Sequence, residues 1–208
     1  WVCLDEILRG GINTSTAIMS WTGEKAGIEA SKLGHDVVMT PTTFAYLDYM
    51  QADIATEPRV YANLRLNKTY QFDPVPAGAV AKHILGGQGN LWTEQIYNIR
   101  QAEYMTWPRG LAIAESLWSP KEKKNWNNFI SRTENQFKRW NYSETKYSPA
   151  IYDPSVQVEK SGNNYAIRLT PEIEGLDLYY SFDNSEPDRF YPKYTSPVQI
   201  PKDASLFK

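Results

Sequence analysis

Three short apolar runs, each breaking off on aromatic, hydroxyl or acidic side chains, constrain the fold of this chain more than any other feature. Ala79-Val80-Ala81 and Ile84-Leu85 lead into Gly86-Gly87-Gln88-Gly89-Asn90-Leu91-Trp92-Thr93-Glu94. Glycines there let the backbone bend or another group approach closely. Thr16-Ala17-Ile18-Met19-Ser20 ends on Trp21, and Thr22 to Lys32 then reads as a helix. Asp36-Val37-Val38-Met39-Thr40 is followed by Pro41 and by Phe44-Ala45-Tyr46-Leu47-Asp48-Tyr49-Met50. Strand, polar loop, helix, strand is the βα repeat of a parallel sheet. In a (β/α) barrel, catalytic residues sit at the C-terminal ends of strands, which is where Trp21, Tyr46, Asp48, Trp92 and Glu94 fall.

A tryptophan face beside a carboxylate is a way of holding a sugar. The ring covers the apolar C–H face, and the carboxylate takes hydroxyl protons. Standing alone, Trp92-Thr93-Glu94 reads equally well as a buried strand whose Trp is core and whose Glu caps the next helix. Recurrence of the pattern upstream favours the site. The chain has 208 residues, 13% of them aromatic, with seven Trp and fourteen Tyr. Such enrichment suits carbohydrate stacking, although most rings belong to a core. A formal net charge of −2 gives no electrostatic case for nucleic acid or an anionic membrane surface. The lone Cys3 excludes an internal disulfide framework and a cysteine-based metal cage. His35 and His83 both lie in apolar surroundings and read as structural rather than as ligands or bases. No apolar run is long enough to span a bilayer as a helix. Asn13-Thr14-Ser15, Asn67-Lys68-Thr69 and Asn141-Tyr142-Ser143 match the N-glycosylation tripeptide, at a frequency that chance supplies.

Two parts follow one another along the chain, 1–142 and 143–208. The first holds the βα units and ends in helical stretches. Gln101 to Leu117 carries apolar residues at helical spacing, Pro120 stops it, and Trp126, Phe129, Ile130, Phe137 and Trp140 mark a final amphipathic helix. Lys121-Glu122-Lys123-Lys124 reads as a solvated helix start. Residues 51–78 form a long polar connection, a length that in a compact domain is functional or disordered. From Ser143 the pattern changes to short β-like runs: Tyr165 to Leu169, Leu176 to Phe182 and Val198 to Ile200, with Asp183 to Pro187 as a turn.

The chain resembles the exo-β-N-acetylhexosaminidases of glycoside hydrolase family 20. The resemblance is carried by Asp5-Glu6-Ile7-Leu8-Arg9-Gly10-Gly11, Met19-Ser20-Trp21-Thr22-Gly23-Glu24, Gly34 to Pro41 and Tyr46-Leu47-Asp48-Tyr49. It continues through Phe72-Asp73-Pro74-Val75-Pro76, Ile84 to Glu94, and Glu103-Tyr104-Met105 to Glu115, and holds in order and spacing to about Trp140. It implies an α/β fold: the C-terminal half of a (β/α)8 TIM barrel, strands five to eight, then a small and truncated β-sandwich module. Parallel strands are expected near residues 1–4, 16–20, 36–40 and 83–90. Tyr180-Ser181-Phe182-Asp183 and Tyr194 to Val198 match the module's repeating pattern.

In the family, an adjacent Asp-Glu pair after strand four supplies the general acid/base and orients the substrate's acetamido N–H. The chain is expected to begin after that pair. Asp5-Glu6 is not the pair, because it lacks the preceding His and Gly, and Ile7 to Gly11 match the strand-five loop. Leu4 stands where many relatives have a Trp that walls the acetamido pocket. The resemblance implies retaining hydrolysis in which the 2-acetamido oxygen is the nucleophile and a cyclic oxazolinium forms. It implies that Trp21 and Trp92 wall the acetamido group and that Tyr46 donates its phenol to the attacking oxygen. Asp48 and Glu94 would take ring hydroxyls O4 and O6, and Tyr61 would be a further subsite aromatic. No cofactor and no metal are implied. The substrates would be glycans ending in N-acetylhexosamine, or chitooligosaccharides, and the resemblance suggests export, periplasmic or extracellular, in a bacterium. Two other classes remain open: a carbohydrate-binding piece without hydrolysis, and a structural fragment whose open half-barrel edges self-associate.

Overall fold

The computed structural model describes residues 10–53, 57, 59–162, 164–202, 204 and 206–208. Trp1, Cys3, Leu4, Asp5 and Glu6, and with them the strand expected near residues 1–4, lie outside the described residues. The chain divides into two compact units, the first ending at Ser148 and the second starting at Pro149.

In the first unit, β1 (Ile18–Ser20), β2 (Val37–Met39) and β3 (Ile84–Gly87) form a parallel sheet in the order β1-β2-β3. Each sits inside a run read above as a strand, shortened at its ends. Ile18 pairs with Val37 and Ser20 with Met39; Val37 pairs with Ile84, but Val38 pairs with Gly86. The extra residue is a bulge, and Gly86 takes it up with φ 136°. Gly87 answers to a different demand: a Cβ there would stand 2.7 Å from the Phe72 ring and 2.9 Å from Leu117. Parallel neighbours need a crossover, and α1 (Glu24–Lys32) supplies the one between β1 and β2, burying Gly27, Ala30 and Ser31. Ile18, Ala30, Val37, Met39, Ala45, Leu47, Phe72 and Ile113 form the core beneath the sheet.

After β2 come α2 (Thr42–Ala45) and then α3 (Leu66–Tyr70). The 51–78 connection is therefore not wholly loop. Leu64, Leu66, Tyr70 and Phe72 are buried, so its second half is core. The continuous helix expected from Gln101 to Leu117 is two helices, α4 (Ile99–Thr106) and α5 (Arg109–Trp118). Pro108 is the cause: it has no N–H, and it drives Trp107 to an extended φ −102°, ψ 139°. Asn98 caps α4 by accepting from the Gln101 N–H at 2.9 Å. Asn125 caps α6 (Trp126–Tyr142) in the same way, accepting from the Asn128 N–H at 2.9 Å.

Residues 121–124 are not simply a solvated helix start. Lys124 is drawn inward, donating to the carbonyl oxygens of Tyr70 and Phe72 and, at 2.9 Å, to the Ser116 hydroxyl. The segment after α6 also stays with the first unit. Tyr147 stacks on Phe137 with ring centroids 4.1 Å apart, and the Ser148 N–H donates to the Trp107 carbonyl at 3.0 Å. These contacts carry the first unit past residue 142.

The second unit is built on an antiparallel sheet, with β5 (Asn164–Thr170) between β4 (Ser155–Ser161) and β6 (Val198–Gln199). Arg168 crosses to Glu159 with two hydrogen bonds, 2.6 and 3.1 Å. Leu176 to Phe182, read as a strand, makes only an isolated bridge from Tyr179 to Lys193. Its backbone bonds go to two partners: Leu178 accepts from Tyr194 at 2.8 Å, whereas Ser181 donates to Lys208 at 2.8 Å. Among the described residues this unit shows one three-stranded sheet, not the two packed sheets of a sandwich.

Candidate active site

The sheet does not stop where its strands end, and its frayed C-terminal edge places the candidate residues. Past β1 and β2, the Thr40 N–H donates to the Ser20 carbonyl and the Thr42 N–H to the Trp21 carbonyl, both at 2.8 Å. Past β3, the Gln88 N–H donates to Met39 at 3.0 Å and the Asn90 N–H to Ala45 at 2.7 Å. The Leu47 N–H returns to the Asn90 carbonyl at 2.6 Å, which makes Tyr46 and Asn90 a parallel bridge. Trp21, the Tyr46–Asp48 turn and the Asn90–Glu94 loop are thereby held side by side beyond one end of the strands.

Together they enclose an open pocket of about 700 Å³. All six residues singled out above line it: Trp21, Tyr46, Asp48, Tyr61, Trp92 and Glu94. Met19, Thr40, Gln88, Asn90 and Leu91 line it too and were not singled out. Asn90 and Gln88 sit within the glycine-rich stretch, and their signal was an amide pair: Gln88 Nε2 donates to Asn90 Oδ1 at 2.6 Å. Met19 and Thr40 belong to strand runs whose alternation points every second residue to this side.

Asp48 is the most constrained acid of the pocket. Its residue is 7% exposed, and Oδ1 has no hydrogen-bond partner among the described residues. Burial pushes its carboxyl above the ordinary aspartate value, and the Glu94 charge pushes the same way. The backbone N–H groups of Asp48 and Trp92 and the Arg109 guanidinium pull against that rise. A buried acceptor without a donor is costly to keep, and a hydroxyl arriving with a ligand would satisfy it. Tyr46 is equally buried, its ring 5.6 Å from that of Tyr49. Burial, then the charge of Asp48, raises the Tyr49 phenol. Trp92 and Tyr61 are open, at 50% and 67% exposed, and Glu94 is exposed.

The histidines stand apart from this chemistry. His35 is buried with Nδ1 3.0 Å from the Thr16 carbonyl, and His83 Nδ1 lies 3.3 Å from Asp36 Oδ1. Among the described residues no cluster of three His, Cys, Asp or Glu side chains could hold a metal ion. No described helix is long and apolar enough to cross a membrane.

A pocket beyond the C-terminal ends of parallel strands is the ligand-binding arrangement of α/β folds, the (β/α) barrel among them. The family model for glycosyl hydrolase family 20, catalytic domain, matches residues 2–121, and the chain belongs to that family. A Porphyromonas gingivalis protein named beta-hexosaminidase is 32% identical over 94% of this chain, which spans 26% of that relative. Among solved structures, the chain is similar to a family 20 exo beta-N-acetylglucosaminidase of Vibrio harveyi in complex with N-acetylglucosamine. That likeness has a TM-score of 0.61 at 34% identity, over 67% of this chain and 23% of the other. An inactive mutant of the Vibrio harveyi enzyme superposes with a TM-score of 0.63 at 34% identity, over 70% of this chain and 24% of the other. The chain thus spans about a quarter of the length of these proteins.

Proposed function

We propose that the protein to which this chain belongs is a retaining β-N-acetylhexosaminidase acting on terminal, non-reducing N-acetylglucosamine or N-acetylgalactosamine. The observation that carries this reading is the convergence of Trp21, Tyr46, Asp48, Trp92 and Glu94 on one pocket of a family 20 barrel segment. Trp21 and Trp92 wall the acetamido group. Tyr46 donates its phenol to the acetamido oxygen as that oxygen attacks the anomeric carbon, which holds a near-attack geometry. The glycosidic bond breaks, the leaving oxygen takes a proton from a general acid, and water opens the oxazolinium with retention. Asp48 and Glu94 accept from ring hydroxyls and so select a terminal sugar, and Tyr61 stacks beyond it.

Asp48 and Glu94 are the carboxylates of the pocket among the described residues, and this reading gives both to recognition. On this reading the chain by itself binds sugar without hydrolysing it, and the half-exposed Trp92 ring suits that role. Its sheet, with β1 and β3 each paired on one side among the described residues, offers edges for a complementary half-barrel or a second copy. The test is to incubate the isolated chain with an aryl N-acetylglucosaminide and to titrate it with N-acetylglucosamine. Binding is expected without release of aryl alcohol, since a positioned acid alone is worth ~10²- to 10⁴-fold. Turnover that disappears in Glu6→Gln would make Asp5-Glu6 the catalytic pair and overturn the assignment.

A further inference from the structure

Arg109, the first residue of α5, is the largest side chain withdrawn completely from solvent in the described structure, at 0% exposed. Its Nη2 donates to the Leu47 carbonyl at 2.6 Å and to the Met105 carbonyl at 2.8 Å, and its Nη1 donates to the Leu64 carbonyl at 3.0 Å. Burying a cation is expensive, and an apolar side chain of similar volume would fill the space at lower cost. What the guanidinium holds explains its presence. Leu47 lies between Tyr46 and Asp48 in the chain. Leu64 closes the loop that carries Tyr61: the Met50 N–H donates to Ala62 at 2.9 Å, and the Leu64 N–H donates to Met50 at 2.8 Å. Met105 fixes the fork against α4. Three carbonyls from three separate segments converge on one planar group, a geometry that a lysine's point charge on a flexible stem does not reproduce.

The middle of the same loop has its own anchor. Glu57 accepts from the Gln51 N–H at 2.7 Å and from the Tyr104 hydroxyl at 2.6 Å. The base of the loop and the Tyr46–Asp48 turn, by contrast, share Arg109. We propose that Arg109 is a positioning residue for the sugar site: one buried guanidinium fixes, as a unit, the backbone presenting Tyr46 and Asp48 and the base of the loop presenting Tyr61. The proposal rests on the reading of those side chains as sugar contacts.

Amide hydrogen exchange tests the clamp, and kinetics tests its purpose. In the unmodified chain the Leu47 and Leu64 amides should open in one event and show a common opening free energy. In Arg109→Lys of the intact protein both should accelerate together while the β1 and β2 amides hold. There kcat/KM for an aryl N-acetylglucosaminide should fall about 10-fold or more, as loss of a charge-assisted hydrogen bond does, at a temperature where its circular dichroism is native. A merely structural arginine would cost stability and leave kcat/KM of the folded variant unchanged. Independent opening of Leu64, measured without any substitution, overturns the clamp even if Arg109→Lys fails to fold. Coupled opening that loosens in Arg109→Lys with unchanged kcat/KM leaves the clamp standing and overturns its positioning role; the sugar-contact reading fails separately, if Tyr46→Phe and Asp48→Asn leave kcat and KM unchanged.

Discussion

The pocket has one wall that is finished before a ligand arrives and one that is not. The turn after β2 places Tyr46 and Asp48 at 7% exposed each, with Leu47 held through its N–H by Asn90 and through its carbonyl by Arg109. The loop after β3 leaves Trp92 at 50% exposed and Glu94 open to solvent. A buried polar group discriminates sharply, because a ligand that fails to pair with it leaves it unsatisfied. An exposed ring contributes surface that becomes buried only in the complex, which is forgiving of small changes in ligand shape. The two walls should therefore respond differently to substitution: the turn in chemistry and selectivity, the loop in affinity.

The largest effect is expected at Tyr46. Its phenol is assigned to holding the acetamido oxygen in line for attack on the anomeric carbon, so its loss belongs in kcat as well as in binding. Tyr46→Phe keeps the ring and its packing. In the intact protein kcat should fall about 10²-fold, the scale on which a misplaced reacting atom slows the chemical step. Steady-state kinetics with an aryl N-acetylglucosaminide measures it. A few-fold change in both constants would mean that the hydroxyl serves packing, and the contrast between the walls would collapse.

How much of this was legible beforehand depended on whether the burial pattern and the sequence pattern coincided. The sheet was, because Ile18, Val37 and Met39 are buried at 0% exposed within apolar runs that stop where the pocket lining begins. The interruption of α4 and α5 by Pro108 was missed because apolar spacing continues through it, although proline chemistry argues for a break. β4 passed unread since Ser155-Val156-Gln157-Val158-Glu159-Lys160 carries few apolar groups, and Val158 is 62% exposed. The pocket residues were legible as aromatic and acidic groups at strand ends. Arg109 was not, because an arginine on a helix reads as a solvated face. Its spacing with Ala112, Ile113 and Ser116, which share the buried face of α5, was the available signal.

Trp92 should give an intermediate effect, confined to affinity. With half its surface already in water, Trp92→Ala should change stability by no more than ~0.5 kcal/mol. Affinity for N-acetylglucosamine should fall roughly 10-fold, the ratio that about 1.4 kcal/mol of lost contact produces. Calorimetric titration of the chain and its variant reads the difference. An unfolded Trp92→Ala would show that the ring is core, and the distinction between an open and a buried wall would then be wrong.

The smallest effect sharpens the comparison most, because it separates stability from function within one residue. The carboxyl of Asp48 is raised from its ordinary 3.8 in the folded chain, by burial first and by Glu94 in addition. Below that ordinary value the group is protonated in both states and favours neither. As pH rises, the unfolded chain loses the proton first, so folding weakens until the folded Asp48 also ionises, and the loss then stays constant. Asp48→Asn cannot ionise and escapes this loss. Urea midpoints of the two chains should therefore diverge from about pH 4 upward in favour of Asp48→Asn and level off once the folded Asp48 has ionised. Glu94→Gln should narrow the divergence by removing one of the charges that raises Asp48. The same Asp48→Asn should raise KM in the intact protein, since a neutral amide accepts a sugar hydroxyl less strongly than a carboxylate. Stability gained and recognition lost in one substitution is what a buried acceptor kept for a ligand predicts. Parallel urea curves at every pH would show that burial exacts nothing from Asp48, and the finished wall would be no more constrained than the open one.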